Sequence, residues 1–353
     1  MVTASRRRPR LLMIHTGGTL LMKPRADGAA LSADAVTQDL LGELPVLKQI
    51  ADIETLLLFS LDSADMQPEN WVEIGRVIHE RLEAYDGFVV VHGTDTMAYT
   101  ASALAYLLPG LDRSVVLTGA QRPLTEVRTD GRANLVDACQ VATMWIPEVT
   151  VAFSSRLYRG CRATKMDAWG MNAFGSPSCP PLAELGLGVQ VAPHVLPPRA
   201  KEPFDPRLEP RVLAVRVFPG LDPRLLHGAL ASGVRGVVIE AFGAGNVPRL
   251  ERSLIGVLEA ARTLDVPVVL VSQCPRGAVD LSAYEGGAAA RKAGAIGAAD
   301  MTAEAALTKL MVVLGRAADD ERVSRAREAF AHPWVGEMTP TGEPARPSAM
   351  PHE

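Results

Sequence analysis

Two threonines follow apolar segments of the chain, and each lies close to glycine. Thr19 follows two glycines after the apolar run 11–15, and Thr94 follows one glycine after the run 88–92. In open α/β sheets, ligands bind at the carboxyl ends of the strands. Glycine lets a ligand approach the backbone, and backbone N–H groups can stabilise a developing oxyanion. The repeated arrangement predicts a site in which a threonine hydroxyl carries out acyl transfer.

A threonine hydroxyl needs a base, and a lysine and an aspartate are the candidates. Lys165 ends the segment Arg-Ala-Thr-Lys, and Asp95 directly follows Thr94. The hydroxyl is a poor nucleophile at neutral pH, and a lysine accepts a proton only where burial or a cationic neighbour lowers its pKa. A relay of Thr94, Asp95 and Lys165 meets this need. The simpler alternatives are that Lys165 is a surface side chain and that Asp95 caps the following helix.

A third polar segment, 62–66, follows the apolar run 56–61. It contains two carboxylates and one hydroxyl at another predicted strand end. Asp62 and Ser63 are therefore candidates for binding a substrate. The alternative is that Ser63 or Asp65 caps the helix that begins near residue 68.

Metal binding is not predicted. His15 and His92 occupy matching positions before the two threonine turns, but no third ligand follows at a suitable spacing. Two hydrogen-bonded core histidines are expected instead. The four cysteines lack CxxC or metal-like spacing, so reduced thiols in the cytoplasm are expected.

Short apolar runs alternate with helical patterns along the chain. The predicted strands are 11–15, 88–92, 115–118, 149–153, 212–217, 236–240 and 266–271, and the predicted helices include 223–232, 250–264 and 302–314. Such alternation is typical of parallel sheets covered by helices. The predicted fold is α/β with two lobes, a larger N-terminal lobe built on a mostly parallel sheet flanked by helices and a smaller C-terminal α/β lobe.

Proline content marks the domain organisation. Six prolines lie between residues 192 and 210, which favours an extended linker. The predicted domains are an N-terminal α/β catalytic domain, 1–191, and a C-terminal α/β domain, 211–339. Residues 340–353 have little apolar content and are expected to be disordered.

Composition limits the classes of partner. The chain has 353 residues, 48% of them hydrophobic and 22% charged, with a formal net charge of −4. This balance is that of an ordinary globular protein and provides no electrostatic reason for binding nucleic acid or an anionic membrane. No stretch approaches the roughly 20 apolar residues of a membrane span, and the start of the chain lacks the apolar core of a secretory signal. A cytoplasmic protein without nucleic-acid or membrane partners is predicted.

Taken together, these segments resemble the bacterial and archaeal type I L-asparaginases. The resemblance extends from about residue 14 to about residue 339. It is carried by the segments 15–19, 62–66, 92–96, 117–124, 128–131 with 134–135, 158–165, 242–246, 273–274 and 299–305. The family has an α/β fold and hydrolyses amides through an acyl-enzyme, without a metal or cofactor.

The resemblance implies a role for each matching residue. Thr19 would be the nucleophile, and Thr94, Asp95 and Lys165 would form the second catalytic group, with Lys165 polarising Thr94. Asp95 would also hold the α-ammonium group of the substrate, and Ser63 with backbone groups its α-carboxylate. Gly18, Asp62 and Thr94 complete the implied substrate-binding set. A zwitterionic substrate needs one acceptor and one cluster of donors, which this division supplies.

Two positions depart from the family pattern. Relatives carry a tyrosine in the loop after the first motif, whereas residues 20–32 contain none and Ala29 is the equivalent position. Ala64 stands where relatives present a polar side chain. Loss of one positioned proton-transfer group can lower a rate by ~10²–10⁴.

The leading hypothesis is hydrolysis of L-asparagine to L-aspartate and ammonia by a cytoplasmic amidohydrolase. The alternatives are an asparaginase-like protein that binds an amino acid with little or no turnover, and an amidohydrolase for a bulkier small amide. The resemblance further implies a homodimer or homotetramer.

Overall fold

The computed structural model describes residues 7–18, 20, 42 and 44–340. The chain forms two compact units. The first comprises the residues through Gly175 together with Pro181–Phe204, and the second comprises Ser176–Pro180 together with the chain from Asp205 onward. The boundaries of the predicted functional domains, 1–191 and 211–339, stay a prediction.

An eight-stranded sheet forms the centre of the first unit, with strand order β10-β9-β6-β5-β4-β3-β1-β2. Its strands are β1 (Arg10–Gly17), β2 (Asp52–Leu61), β3 (Gly87–Val91), β4 (Ser114–Thr118), β5 (Val149–Phe153), β6 (Arg156–Arg159), β9 (Ala183–Leu185) and β10 (Val189–Val191). A separate pair consists of β7 (Thr164–Lys165) and β8 (Phe174–Gly175). The helices of this unit are α1 (Leu47–Ile50), α2 (Pro68–Glu80), α3 (Met97–Leu107) and α4 (Gly131–Ala142).

Five neighbouring strands, β2, β1, β3, β4 and β5 in their order across the sheet, run parallel to one another, as the sequence predicts. Every residue of β3, β4 and β5 is buried, which is typical of parallel strands covered on both faces. On one face, Met13 and Val89 pack in a core with Leu135 of α4. The carboxyl ends of β1, β3 and β4 therefore lie side by side at one edge of the sheet.

The antiparallel end of this sheet was not predicted. Strand β6 pairs antiparallel with β5, and β9 and β10 extend the sheet in the same manner. The β5–β6 hairpin turns through Ser154 and Ser155, whose φ angles are 49° and 59°. Two-residue hairpin loops require positive φ, which asparagine and glycine adopt most readily. A serine pair lacks this signal, so the hairpin is not visible in the sequence.

The second unit contains a four-stranded parallel sheet in the order β11-β12-β13-β14. Its strands are β11 (Val212–Arg216), β12 (Gly236–Ala241), β13 (Val268–Ser272) and β14 (Ile296–Gly297), and its helices are α5 (Pro223–Ala231), α6 (Ile255–Thr263), α7 (Glu285–Ala293), α8 (Ala303–Arg316) and α9 (Arg322–Ala329). The predicted α/β fold class, with a larger and a smaller lobe, is confirmed.

One predicted helix boundary in the second unit is wrong. The pattern 250–264 predicts a helix from Leu250, but α6 begins at Ile255. The Ser253 N–H donates to the Leu250 carbonyl at 3.1 Å, which closes a turn before the helix. The Ser253 hydroxyl then accepts a hydrogen bond from the Ile255 N–H at 3.2 Å. Apolar spacing alone does not distinguish such a turn from the first turn of a helix.

Across the ranges that the structure describes, no helix is both long enough and apolar enough to span a lipid bilayer.

Candidate functional site

Glycines bring three of the predicted site segments into direct backbone contact. A Cβ atom on Gly18, whose φ is +86°, would lie 2.5 Å from the Gly93 nitrogen. A Cβ atom on Gly93 would lie 2.5 Å from the Ser63 hydroxyl oxygen. Atoms at such distances overlap, so only glycine fits at either position. The ends of β1, β2 and β3 are therefore packed against one another at the predicted site.

Lys165 is the centre of a three-residue cluster. Its Nζ atom donates to the Thr94 hydroxyl at 2.8 Å and to Asp95 Oδ1 at 2.7 Å. Thr94 is 8% exposed, the Lys165 side chain 20% and the Asp95 side chain 64%. The structure thus joins the three residues of the predicted relay, and Lys165 is not a surface side chain.

The position of Lys165 depends on a tight turn before it. A 3₁₀ turn at Gly160–Arg162 precedes β7, and Lys165 pairs with Phe174 of β8. A Cβ atom on Gly160 would lie 3.2 Å from the Ala101 side chain, so this turn packs closely on α3. Since α3 begins two residues after Asp95, its contact with the turn directs Lys165 toward Thr94.

Ser63 contacts the same turn from the other side. Its hydroxyl oxygen accepts from the Asp95 N–H at 3.3 Å, and its carbonyl accepts from the Thr96 hydroxyl at 2.7 Å. Ser63 is 4% exposed, and its hydroxyl proton has no acceptor among the described residues. Asp62 accepts from the Ala64 N–H at 2.9 Å and is exposed. Ser63 therefore adjoins the Thr94–Asp95 turn, and Asp62 immediately precedes Ser63 in the chain.

The predicted caps of the nearby helices differ from the structure. Helix α2 is not capped by Ser63 or Asp65: the Gln67 N–H at its start donates to the Asn70 side chain at 2.8 Å. Helix α3 begins after Thr96, and neither Asp95 nor Thr96 accepts a capping hydrogen bond from it. The Asp95 carboxylate pairs with Lys165 instead of capping the helix, so it is part of the cluster around Thr94.

Part of the implied set lies outside the described residues. Thr19, the implied nucleophile, and Ala29, the position of the missing tyrosine, are both outside them. Gly18 is described, and its N–H donates to the Leu61 carbonyl at 3.1 Å. This N–H is therefore already used in the fold, and Gly18 lies directly against Gly93.

The two histidines lie in the core, and their hydrogen bonding differs. His92 contacts the Gly93 carbonyl through Nδ1 at 2.7 Å and the Thr100 hydroxyl through Nε2 at 2.8 Å. The prediction of a hydrogen-bonded core histidine is confirmed there. His15 is 1% exposed, and neither ring nitrogen has a partner among the described residues. Burial lowers the pKa of each histidine to about 4, so both rings are neutral at pH 7.

Sequence reasoning assigned no role to Gln121, which contacts the relay directly. The Thr94 hydroxyl donates to Gln121 Oε1 at 3.1 Å. Gln121 follows the carboxyl end of β4, beside β3 in the sheet. Its place after a buried strand at the same sheet edge is the signal that could have identified it.

The chain matches known protein families along most of its length. The family described as Asparaginase, N-terminal matches residues 10–196, and the Glutaminase/Asparaginase C-terminal domain family matches residues 211–326. Together these matches cover most of the chain. The chain belongs to the type I asparaginase family.

Individual relatives agree with this membership. The chain is 40% identical over 286 residues to L-asparaginase 1 of Escherichia coli strain K12, covering 79% of this chain and 82% of that protein. The structure of the thermostable L-asparaginase from Thermococcus kodakarensis superposes with a TM-score of 0.86 at 40% identity, over 94% of this chain and 100% of the other. The structure of L-asparaginase I from Vibrio cholerae superposes with a TM-score of 0.83 at 34% identity, over 94% of this chain and 99% of the other. The predicted family is confirmed, and the asparaginase fold extends over nearly the whole chain.

Proposed function

We propose that this asparaginase-family protein hydrolyses L-asparagine to L-aspartate and ammonia. The observation that carries the proposal is the Thr94–Asp95–Lys165 cluster, since it joins three chemically matched groups in a chain about 40% identical to proteins named L-asparaginase. The two alternatives, amino-acid binding without turnover and hydrolysis of a bulkier amide, have no comparable support.

The reaction proceeds through an acyl-enzyme. The Thr19 oxygen attacks the side-chain carbonyl carbon of asparagine, and the carbon–nitrogen bond breaks as the nitrogen takes up the proton that leaves Thr19. Ammonia departs, water attacks the resulting ester, and aspartate is released with Thr19 restored. Lys165 and Thr94 form the group that moves protons in these steps, because the lysine Nζ contacts the threonine hydroxyl at 2.8 Å.

The cluster also orients the substrate. Asp95 uses Oδ1 for Lys165, and its Oδ2 has no partner among the described residues, so this oxygen is available to the α-ammonium group. The Ser63 hydroxyl accepts from Asp95 and retains its own proton for the α-carboxylate. Acceptor and donor lie on adjacent segments, which fixes the direction of a zwitterionic amino acid and presents its amide to the nucleophile.

The setting of the protein is part of the proposal. A homodimer or homotetramer in the cytoplasm, acting on a small amino-acid amide, agrees with the resemblance and with the composition of the chain. The N-terminal domain, 1–191, contains all the proposed catalytic residues, and the C-terminal domain, 211–339, completes the asparaginase fold.

Ammonia release tests the proposal. Purified wild-type protein should release ammonia from L-asparagine, and Lys165→Met and Thr19→Ala should each lose about 100-fold or more of kcat. Lys292→Met is the matched control, because Lys292 is exposed on α7 in the second unit. L-glutamine measured in parallel reports the preference for side-chain length.

The contradicting outcomes are specific. Unchanged turnover in Lys165→Met or Thr19→Ala would refute the mechanism. A folded wild-type protein that is stabilised by L-asparagine against heat but releases no ammonia would instead favour the binding protein without turnover.

A further inference from the structure

Gln121 connects the catalytic threonine to a surface loop. Its Oε1 atom accepts from the Thr94 hydroxyl at 3.1 Å, and its Nε2 atom donates to the Gly170 carbonyl at 3.2 Å. A carbonyl oxygen only accepts, so the Gly170 contact determines which end of the amide is nitrogen. The oxygen end must then face Thr94, and the direction of both hydrogen bonds is settled by chemistry.

The position of Gln121 is itself tightly held. The N–H groups of Gln121 and Arg122 donate to the buried carboxylate of Asp130 at 3.0 to 3.1 Å. Asn134 donates to Asp130 Oδ2 and to the Gly119 carbonyl, each at 3.0 Å. This network holds the backbone on both sides of Gln121 without using the Gln121 side chain.

We call the pair of hydrogen bonds that join Gln121 to Thr94 and Gly170 the Gln121 bridge. Asp167 orders the loop that contains Gly170. Its Oδ1 accepts from the Trp169 N–H at 2.7 Å and the Gly170 N–H at 2.9 Å. The hydrogen bonds from Gly170 and Trp169 lower the pKa of Asp167, so the group is a carboxylate at neutral pH. This loop begins directly after Lys165. The two hydrogen bonds of Gln121 therefore connect the loop that follows Lys165 to the Thr94 hydroxyl that Lys165 contacts.

The hydrogen bonds around Thr94 leave one role for Gln121. Lys165 donates to the Thr94 oxygen, and the Thr94 hydroxyl proton points to Gln121. Without that acceptor, the hydroxyl is free to rotate about its C–O bond, and the reactive orientation is one of several. Misplacement of a catalytic group by a small distance costs large factors in rate.

We propose that Gln121 is a positioning residue, whose amide oxygen sets the orientation of the Thr94 hydroxyl while its amide nitrogen anchors the 167–170 loop behind Lys165. The inference rests on the proposed hydrolysis and adds a residue to its machinery. Gln121 acts through Thr94 and does not itself exchange a proton with the substrate.

Two substitutions separate the two ends of the bridge. Gln121→Glu keeps an acceptor for Thr94 but has no donor for the Gly170 carbonyl, whereas Gln121→Met loses both. We expect Gln121→Met to lower kcat about 10-fold or more while KM changes less than about threefold. Gln121→Glu should keep most of the wild-type kcat, each enzyme being assayed with L-asparagine at its own pH optimum. Gln140→Met is the control, since Gln140 is exposed on α4.

A second measurement does not depend on turnover. Hydrogen exchange followed by mass spectrometry should show faster exchange at residues 166–171 in both Gln121 variants and wild-type exchange in Gln140→Met. A kcat that falls equally in both variants, or that stays at the wild-type value in Gln121→Met, would overturn the inference. Wild-type exchange in the loop of both variants would also overturn it. A wild-type enzyme without ammonia release would refute the proposed function instead. The exchange comparison would still test whether Gln121 anchors the 167–170 loop.

Discussion

At the scale of single residues, Asp137 shows how burial acts on a charge outside the site. This carboxyl is half-buried on α4, and desolvation raises its pKa from 3.8 to about 6. The folded protein therefore binds a proton at Asp137 in the range between pH 4 and pH 6, where the unfolded chain has released it. Stability from this group is fully present below pH 4 and is lost as the pH rises through 6.

Replacing Asp137 by asparagine should stabilise the protein at neutral pH. A shift of about two pKa units corresponds to roughly 3 kcal/mol, and partial exposure reduces this to about 1 kcal/mol. The gain in the free energy of unfolding should appear in urea titrations at pH 7.5 and vanish near pH 4. Glu184→Gln, which removes an exposed carboxylate from β9 of the same unit, should change little at either pH. A gain that does not depend on pH would contradict the explanation by burial.

At the scale of elements, close backbone contacts place the strand ends. Gly18 packs on Gly93, and Gly93 packs on Ser63, with no room for a Cβ atom at either glycine. The ends of the three strands therefore lie as close together as the van der Waals radii of their atoms allow. The same contacts that stabilise the edge of the sheet also bring Ser63 close to Thr94, as the proposed substrate site requires.

Gly18→Ala should cost both stability and activity. A Cβ atom there would lie 2.5 Å from the Gly93 nitrogen, and φ is +86°, so strain of order 1–3 kcal/mol is expected together with displacement of Thr94. The control is Gly228→Ala in α5, where nothing lies within 4 Å of the added atom and helix propensity predicts a gain of about 0.5–1 kcal/mol. Thermal unfolding and ammonia release measure both effects. Equal effects of the two substitutions would contradict the packing argument.

A buried ion pair attaches the end of the described chain to helix α8. Lys309 and Glu337 are paired, and both side chains are fully buried. Glu337 also accepts from the N–H groups of Trp334 and Val335 at 2.9 to 3.0 Å. Lys309 Nζ also donates to the His332 carbonyl at 3.2 Å and lies 4.8 Å from the centroid of the Trp334 ring. The Glu337 carboxylate supplies the opposite charge of the pair.

Removing one charge of this pair should cost more than removing both. Glu337→Gln removes the anion paired with the buried Lys309 ammonium and should lower the free energy of unfolding by about 3–5 kcal/mol. Combining it with Lys309→Met should recover part of that loss, because no buried charge remains. Urea unfolding of the wild type and three variants completes a double-mutant cycle. A double variant less stable than Glu337→Gln would show that the explanation is wrong.

At the scale of the whole molecule, the surface retains large apolar side chains. Val127 and Trp169 are each 95% exposed, and Leu187 is fully exposed. Single exposed apolar side chains of this kind are normal on a globular protein. The proposal that copies of this chain associate therefore rests on the resemblance to the asparaginase family.

We expect the purified protein to be a homodimer or homotetramer. Light scattering at micromolar concentration should yield two or four times the 37.6 kDa of one chain. The mass should not depend on salt if apolar contacts dominate the association. A monomer over the whole concentration range in which the enzyme is active would contradict the expectation.

The local features of this protein are visible in its sequence. Apolar runs with β-branched residues predicted the central strands β1, β3, β4 and β5, because buried parallel strands require such runs. The positions of Thr94 after β3 and of Ser63 after the run 56–61 predicted that each lies at the end of a strand, where sites of α/β sheets form. Such patterns are local, and one chain displays them without comparison to any other structure.

The tertiary structure decided contacts that no sequence pattern displays. The sequence predicted the grouping of Lys165 with Thr94 across 71 residues, whereas only the structure shows that Gln121 reaches Gly170 across 49. The antiparallel strands after β5 depend on serines with positive φ, and the available oxygen of Asp95 depends on its pairing with Lys165. Periodicity reports which face of an element is buried but not which element covers it. Contacts between distant segments arise only when packing selects one arrangement among many with the same pattern.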